Sequence, residues 1–494
     1  MANMSLPLGA GFYQSDSLPF ANQRCVGLFP NIPQAPALTP DSLFEVQGLI
    51  EVANTSRKAA DRNRGAWSFN GVPYFINGQQ LFKLVRSVLF GGTIAYNPVS
   101  VGAIDGTGLC SMSDNGVQLI IINNSGSGFI YQPSTSENAS VQPITSNGFT
   151  ANGTPQQVVY LDGYFIATTN SRKAIISGIN DGFSWNALDS ITAEADPDNI
   201  VAPFVYKNQL YLLGAKTTET FRNIGGAGVP FQRINGFVLT RGCASPFSVI
   251  KLGANVFWIG NGSNEQPVAL MFSGSEPQKI STTAIDNKLH ELSAEQIGQV
   301  FSFAYSLRGH DFVSFSSDSW TFIYDVSTGQ WHERESQVFA NNRKVTKRCR
   351  IQSVVSAYNE LFAGDAEDGR IGLISETTYT EYDEAMISFF TTSPLYNLGN
   401  SFSLPSIELL CESGVGSELE RNPEVRLQIS RDGVVFEDPR TRMLGSEGNR
   451  KIRQVWYRNG RVSRLCIFKV TVSDPVKRRF FGLEIKYKQG VSNA

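Results

Sequence analysis

One pattern recurs along the chain at nearly constant intervals: a short apolar run, a turn containing Gly, Asn, Asp or Ser, then a second apolar run. It is present in "PYFINGQQLFKL", "VQLIIINNSGSGFIY", "YFIATTNSRKAIIS", "LYLLGAKTTETF", "VFWIGNGSNEQPVALMF", "FVSFSSDSWTFIYDVSTGQW" and "LFAGDAEDGRIGLIS". The first strands begin near Tyr74, Leu119, Tyr164, Leu210, Val256, Phe312 and Leu361, at intervals of 45, 45, 46, 46, 56 and 49 residues. A period of about 40 to 50 residues with several short strands per unit is the signature of a β-propeller. A single blade cannot bury both of its apolar faces, whereas a ring of blades can, and the ring also protects the strand edges. The longer fifth interval contains "STTAIDNKLHELSAEQIGQV", in which Ser293 to Gln296 reads as a capping box and Ile285, Leu289 and Leu292 fall at helical spacing. A helical insertion is therefore expected near residues 281–300. The competing arrangement is a series of unrelated hairpins in a sandwich; the near-even spacing favours a ring of six or seven blades.

A chain of 494 residues exceeds what one core usually supports, so more than one module is expected. Residues 1–64, rich in Pro, Asn and Ala ("LFPNIPQAPALTPDSLF"), read as an extended N-terminal arm, and residues 65–382 as the propeller. Residues 383–494 carry "SIELLCES", "EVRLQISRDGVVFEDP", "QVWYRNGRVSRLCIFKVTV" and "FFGLEIKY", expected to form a basic C-terminal antiparallel domain resembling a β-sandwich. Its expected turns are Asp432-Gly433 and Asn459-Gly460. The fold class is all-β.

Charged residues make up 17% of the chain, below the roughly 25% usual for globular proteins, which suits an uncharged polar β surface or one hidden in an assembly. The net charge of −2 conceals an asymmetry. From Arg421 onward there are 17 basic and 7 acidic residues, a balance of +10, which leaves −12 for the preceding 420 residues. Tail and body are thus electrostatically complementary. The six cysteines, Cys25, Cys110, Cys243, Cys349, Cys411 and Cys466, show no C-x-x-C pair and are expected to be reduced, mostly buried thiols of a protein made in a cytoplasm. The opening "MANMSLPLGAGFYQSDSLPF" has neither the basic nor the apolar region of a secretory signal. "VQLIII" is about the longest apolar run, a strand's length, so no membrane partner is expected in the free state.

Catalytic and metal-binding patterns are sparse. His290, His310 and His332 lie apart in sequence, with no paired spacing for a metal. "NIGGAGVPF" is Gly-rich, but Pro230 and Phe231 follow where a phosphate loop needs a helix N-terminus, so it reads as a blade loop. "NDGFSWN" (Asn180 to Asn186) is similar to the Asp-box of sialidase-type propellers, with Asn180 in the Asp position and Gly178 in the Ser position. In that family the box is a structural turn, so it is expected to shape a hairpin rather than to catalyse. The acid pairs Asp196/Asp198 and Asp365/Asp368 sit in turn-like contexts and read as solvated turn acids. No cofactor, metal or catalytic residue is expected. A sugar-binding or glycoside-processing propeller is the alternative, encouraged by "NDGFSWN" and by Trp258, Trp320 and Trp331.

The stretch Lys451–Ser473, "KIRQVWYRNGRVSRLCIFKVTVS", contains six basic residues and no acid. With Asn459-Gly460 as a two-residue turn, Arg458 would face Arg461, Trp456 would face Ser463, and Val455 would face Arg464. Such a hairpin is apolar on both faces yet studded with Arg, a mixture suited to a protein interface or a nucleic-acid groove. Arg453, Trp456, Arg458, Arg461, Arg464 and Lys469 are the candidate contact residues.

Several segments occur in the same order as in a known family: "NQRCVGLFPNIPQ", "FNGVPYFINGQQLFKL", "TRGCASPFSVIKLGANVFWIGNG", "ISTTAIDNKLHELSAEQI", "RGHDFVSFSSDSWTFIYDVSTGQWHE" and "VWYRNGRVSRLCIFKVTV". Through nearly its whole length the chain resembles the packaged-DNA stabilisation proteins of short-tailed bacteriophages, also called tail accessory, hub or nozzle proteins. The resemblance implies a non-enzymatic virion protein, assembled as a hexameric ring below the portal and its adaptor ring. It further implies transient passage of double-stranded DNA, retention of the packaged genome, and docking of tail fibres or spikes and of a needle or plug. A channel that lets DNA slide should not grip phosphates tightly. The basic stretch is therefore expected to meet an acidic protein surface, either a neighbouring copy or the adaptor. A third reading, DNA binding, requires that charge to face nucleic acid.

Overall fold

The second strand of each repeat is apolar at nearly every position, and the computed structural model shows the reason. The structure describes residues 2–8, 11–133, 140–226, 228–340 and 343–490. Leu119–Ile122, the second strand of its sheet, is buried at all four positions because both faces of the sheet are covered by neighbouring sheets. Tyr164–Thr169, Gln209–Gly214 and Asn255–Gly260 repeat the arrangement.

Five free-standing four-stranded sheets span Asn63–Ala103, Ser111–Pro143, Pro155–Thr192, Ile200–Leu239 and Ile250–Lys279. Two more four-stranded units, Ala304–Glu333 and Ile351–Ser375 completed by Gly48–Asn54, belong to larger sheets. We number these blades 1 to 7. The hydrophobic clusters between successive blades decide the count. Separate cores lie between blades 1 and 2, 2 and 3, 3 and 4, 4 and 5, 5 and 6, 6 and 7, and 7 and 1. The ring therefore has seven blades, and each of the seven sequence hairpins is the second and third strand of one of them.

Closure is made by a strand from far away in sequence. Gly48–Asn54 lies antiparallel against Arg370–Ser375 as the outermost strand of blade 7, from Ser375↔Gly48 to Arg370↔Asn54. Buried amides then join blade 7 to blade 1. Asn77 Nδ2 donates to Thr55 Oγ1 (3.0 Å) and to the Gly369 carbonyl (3.1 Å), Asn63 Nδ2 donates to Asn77 Oδ1 (2.9 Å), and Ser353 Oγ donates to Asn63 Oδ1 (2.7 Å). A buried amide must find such partners, because each unpaired polar group costs about 1–3 kcal/mol.

Two short helices, Thr283–His290 and Ala294–Gly298, occupy the expected insertion. Ser293 and Gln296 form the reciprocal capping box. Ile285 and Leu289 are buried, with Leu292 against them, in the core between blades 5 and 6.

The C-terminal region is a β-sandwich, as expected, around one core containing Trp456, Phe468, Leu427 and Ile485. One sheet contains Phe402–Cys411 between Gln454–Tyr457 and Phe480–Gln489, extended by Ser42–Glu45 and Leu28–Asn31. The other continues the sheet of blade 6: Gln330–Glu333, Cys25–Val26, Ser388–Thr391, Leu465–Val472, Glu424–Ser430 and Arg440–Met443. The first 64 residues, expected as an arm, thus contribute strands to both bodies. Ala2–Leu6 pairs with Phe480–Gln489, Cys25–Val26 bridges blade 6 to the sandwich, and Gly48–Asn54 closes the ring.

Buried ion pairs surround this crossing. Arg334, fully buried, donates to Glu381 (3.1 Å) and to the Gln47 carbonyl (2.8 Å). Arg350 pairs with buried Asp365 (2.6 Å), and Tyr382 lies between the guanidinium groups of Arg350 and Arg370. None of the six cysteines forms a disulfide, and all but the half-buried Cys411 are buried.

Two outcomes follow for stability. Asn77→Ala leaves Asn63 and Thr55 short of partners and is expected to lower unfolding free energy by about 1–3 kcal/mol, read from a urea melt. His332 is buried beside Phe29 and Phe312. Burial pulls its pKa down from 6.5 to about 3; Asp325 opposes the shift, whereas Arg334 and His310 add to it. A depressed histidine pKa means that the unfolded chain takes up the proton first. Its stabilising contribution is therefore full above pH 6.5 and is lost as pH falls toward about 3, by about 1.4 kcal/mol per unit. His332→Gln should flatten the dependence of melting temperature on pH across that window.

Candidate functional site

Asn459-Gly460 does not form the expected hairpin turn. Gln454–Tyr457 and Arg461–Val462 both pair with one strand, Phe402–Cys411, through Leu409↔Gln454 to Ser406↔Tyr457 and then Ser403↔Arg461 and Phe402↔Val462. Between them the chain bulges, with Arg458 at φ 58° and Gly460 at φ 79°. The bulge lies where Pro405 of the partner strand has no N–H to give. There the Arg458 N–H donates to the Pro405 carbonyl (2.9 Å) and the Asn459 N–H to the Leu404 carbonyl (3.0 Å). After Val462 the chain crosses to the opposite sheet, where Leu465–Val472 pairs with Ser388–Thr391 and Glu424–Ser430. Arg458 is thus not opposed to Arg461, nor Trp456 to Ser463, nor Val455 to Arg464.

The bulge is held by cations from outside the basic stretch. Asn459 is buried and donates to the carbonyls of Trp456 (2.9 Å) and Leu404 (3.3 Å), and its own side-chain oxygen accepts from Arg440. Arg440 also donates to the Tyr457 carbonyl (2.8 Å) and Arg442 to the Val455 carbonyl (2.8 Å). Arg431 donates to the carbonyls of Asn459 (2.8 Å) and Arg461 (2.7 Å). Part of the positive balance of the tail is therefore internal bracing, which satisfies the carbonyls that a bulge removes from the ladder.

The six candidate contact residues divide accordingly. Trp456 is 0% exposed, and its indole N–H donates to the Arg440 carbonyl (2.8 Å); it is a core residue, so the expectation that it forms part of a contact surface is corrected. Lys469 is half-buried, with its ammonium 4.1 Å from the Phe389 ring centroid. Burial, with Arg24 nearby, lowers its pKa. Arg453 pairs with Glu408 (2.7 Å from Nε) and Arg461 donates to Ser401 Oγ (2.6 Å). Arg458 and Arg464 are exposed, with no ion pair among the described residues. Arg453 and Arg461 are exposed as well, so four of the six are outward cations, of which Arg453 is ion-paired and Arg461 is held by Ser401.

The other sequence motifs have structural roles. Asn180 adopts φ 54° in the tight turn joining the third and fourth strands of blade 3, and its N–H donates to the Gly163 carbonyl (2.6 Å). Trp185 packs on Phe149 and donates to the Gly182 carbonyl (2.7 Å). The Asp-box-like segment therefore shapes a hairpin. Trp258 and Trp331 are buried between blades. The axial cavity of about 630 Å³ has Asp114 as its one carboxylate among the described lining residues. That group already accepts from Trp67 Nε1 (2.7 Å) and the Gly116 N–H (2.9 Å), whereas glycoside hydrolysis ordinarily needs a pair of carboxyl groups. Among the described residues no cluster of His, Cys, Asp or Glu is arranged to hold a metal.

With both bodies defined, comparison with known families assigns them together. Residues 4–379 match the family described as bacteriophage P22 Gp10, beta-propeller, and residues 387–488 match its companion, bacteriophage P22 Gp10, beta-sandwich. The chain belongs to the bacteriophage P22 Gp10 family. It is a phage tail structural protein. No curated protein matches the sequence. Solved structures that resemble it include the N-terminal domain of Nup159 (11% identity, 70% of this chain and 98% of that one, TM-score 0.40) and BamB from Moraxella catarrhalis (15%, 72% and 98%, 0.36). An exo-beta-1,3-galactanase from Phanerochaete chrysosporium is more distant (11%, 76% and 95%, 0.30). At these scores the likenesses carry no functional argument.

The bracing yields a direct expectation. Arg440→Ala removes donors from Asn459 and from the Tyr457 carbonyl, and should cost about 1–3 kcal/mol while also speeding amide exchange at 457–461, observed by hydrogen exchange.

Proposed function

We propose that this chain forms the tail hub or nozzle ring beneath the portal and its adaptor ring, extends the DNA channel, retains the packaged genome, and docks fibres or spikes and a needle or plug. The observation that carries the reading is the collinear match of both bodies to one phage tail family. The mechanics suit it. A seven-bladed ring whose blade 6 shares a continuous sheet with the sandwich resists bending between the two bodies, as a component under the pressure of packaged DNA must. The role asks for no catalysis. The assembly is a homo-oligomer, six copies by family resemblance, in the virion tail.

Arg458 and Arg464, exposed and engaged by no carboxylate among the described residues, are outward cations offered to an acidic surface, supplied by a neighbouring copy or by the adaptor. The body of the chain, with its balance of −12 before residue 421, is one such surface. The test mixes the purified chain with DNA-filled heads lacking tails and weighs the product by mass photometry. Saturable uptake of a ring, with DNA retained afterwards, is the expected result, and absence of uptake would contradict the reading. Arg458→Glu with Arg464→Glu should reduce uptake at least about ten-fold, with the melting temperature of the free chain unchanged, because both side chains lie outside the core.

A further inference from the structure

Blade 1 carries a finger whose base packs on blade 7, through Leu84 and Tyr96 against Tyr358 and Phe362, and whose tip projects beyond it. Its third and fourth strands, Gln80–Val88 and Ile94–Ala103, are nine and ten residues long, whereas the second strand pairs only with Gln80–Lys83. Leu84–Val88 against Ile94–Pro98 therefore continues outward as a two-stranded ribbon. Its turn is fixed by the Leu89 N–H donating to the Thr93 carbonyl (2.8 Å) and the Gly92 N–H to the Leu89 carbonyl (3.0 Å). Gly91 and Gly92 have φ of 87° and 83°, and a side chain added at either would meet no atom within 4 Å. This ordered turn holds Phe90 fully in solvent and Leu89 at 53% exposure. From Ser87 through Ile104 there is no charged residue, while exposed Arg86 stands just below the tip, opposite Tyr96.

The finger has companions on the same face. Every blade runs from the axis outward, so the turns between third and fourth strands all open on one side of the ring. There blade 3 presents Ile179 at 65% exposure, and blade 4 presents Ile224 at 55%, two residues after an exposed arginine, Arg222. Blades 1 and 4 stand three apart in a ring of seven, nearly opposite each other. The apolar points are convex and spread across a face instead of pooled in a groove.

We propose that this face docks peripherally on a phospholipid bilayer with anionic headgroups. Leu89 and Phe90 enter the interface, Ile224 makes a second point of insertion, and Arg86 and Arg222 lie at the level of the phosphates. A planar, deformable surface accepts convex tips on opposite sides of a ring at once, whereas a protein partner needs a matching socket for each. Hydropathy tests only for spanning segments, and no helix among the described residues is long and apolar enough to cross a membrane. Insertion of turns to interfacial depth is a different mode, and it replaces the expectation that the free chain ignores membranes. The inference does not rest on the tail-ring reading.

The experiment is flotation of the purified full chain with vesicles of phosphatidylethanolamine and phosphatidylglycerol. The natural chain should float. Leu89→Asp with Phe90→Asp should lower the bound fraction at least about ten-fold, since two large apolar side chains lose their burial. Leu419→Asp, at an equally exposed apolar position in the sandwich, should leave it unchanged. Melting temperatures are measured in parallel, with Phe90→Ser as a second variant should the double change disturb folding. A natural chain that stays at the bottom of the gradient, or tip variants that float as well as it does, would overturn the proposal. So would tip variants that lose self-association by mass photometry while still floating, which would make the finger a contact between copies.

Discussion

The strand Gly48–Asn54 is the constraint on which the rest of the structure depends. A ring of sheets has no defined end until two distant parts of the chain share a blade. Here the N-terminal segment supplies the outermost strand of blade 7, and the buried amides of Asn63 and Asn77 tie that strand's exit to blade 1. The same segment has already been committed elsewhere. Ala2–Leu6, Leu28–Asn31 and Ser42–Glu45 lie in one sheet of the sandwich, and Cys25–Val26 lies between blade 6 and the other. One stretch of chain thus couples closure of the propeller to assembly of the sandwich. Arg334 reinforces the junction, since its fully buried guanidinium is compensated by Glu381 and the Gln47 carbonyl only when the segment is in place.

That coupling gives the protein its mechanical character. A sheet that continues from blade 6 through Cys25–Val26 into Ser388–Thr391 and Leu465–Val472 leaves no flexible linker between the two bodies. Force applied to either is carried by main-chain hydrogen bonds rather than by a few side-chain contacts. The positive balance of the C-terminal region fits the same picture, because Arg431, Arg440 and Arg442 spend their donors on the carbonyls of a bulge. Charge counted along the sequence therefore overstates the charge available to partners, although Arg453, Arg458, Arg461 and Arg464 all stay exposed.

The parts of the fold that were legible in sequence are those governed by local pattern. Leu119–Ile122 and its equivalents are apolar on both faces because each blade is covered twice, so hairpins marked the blades one for one. Ser293 and Gln296 announced a helix because a capping box is complete within four residues. What escaped was set by distant partners. Strands of two to five residues in the first 47 positions are too short to show a period, and nothing local in Gly48–Asn54 names Arg370–Ser375 as its neighbour. Asn459-Gly460 has the composition of a two-residue turn, yet it became a bulge because Pro405, some fifty residues earlier, interrupts the ladder it joins. The misplaced turn put Trp456 on a surface, when its real neighbours are the sandwich core. The finger of blade 1 escaped the sequence reading, because only the ribbon geometry shows that it projects.

Native-state hydrogen exchange resolved to single amides tests the coupling most directly. The account predicts that the amides of Cys25–Val26, Leu28–Asn31 and Gly48–Asn54 exchange only with global opening, at the same free energy as the inner strands of the propeller and the core strands of the sandwich. Release of Gly48–Asn54 in a separate, low-energy opening that leaves blades 1 and 7 protected would contradict it.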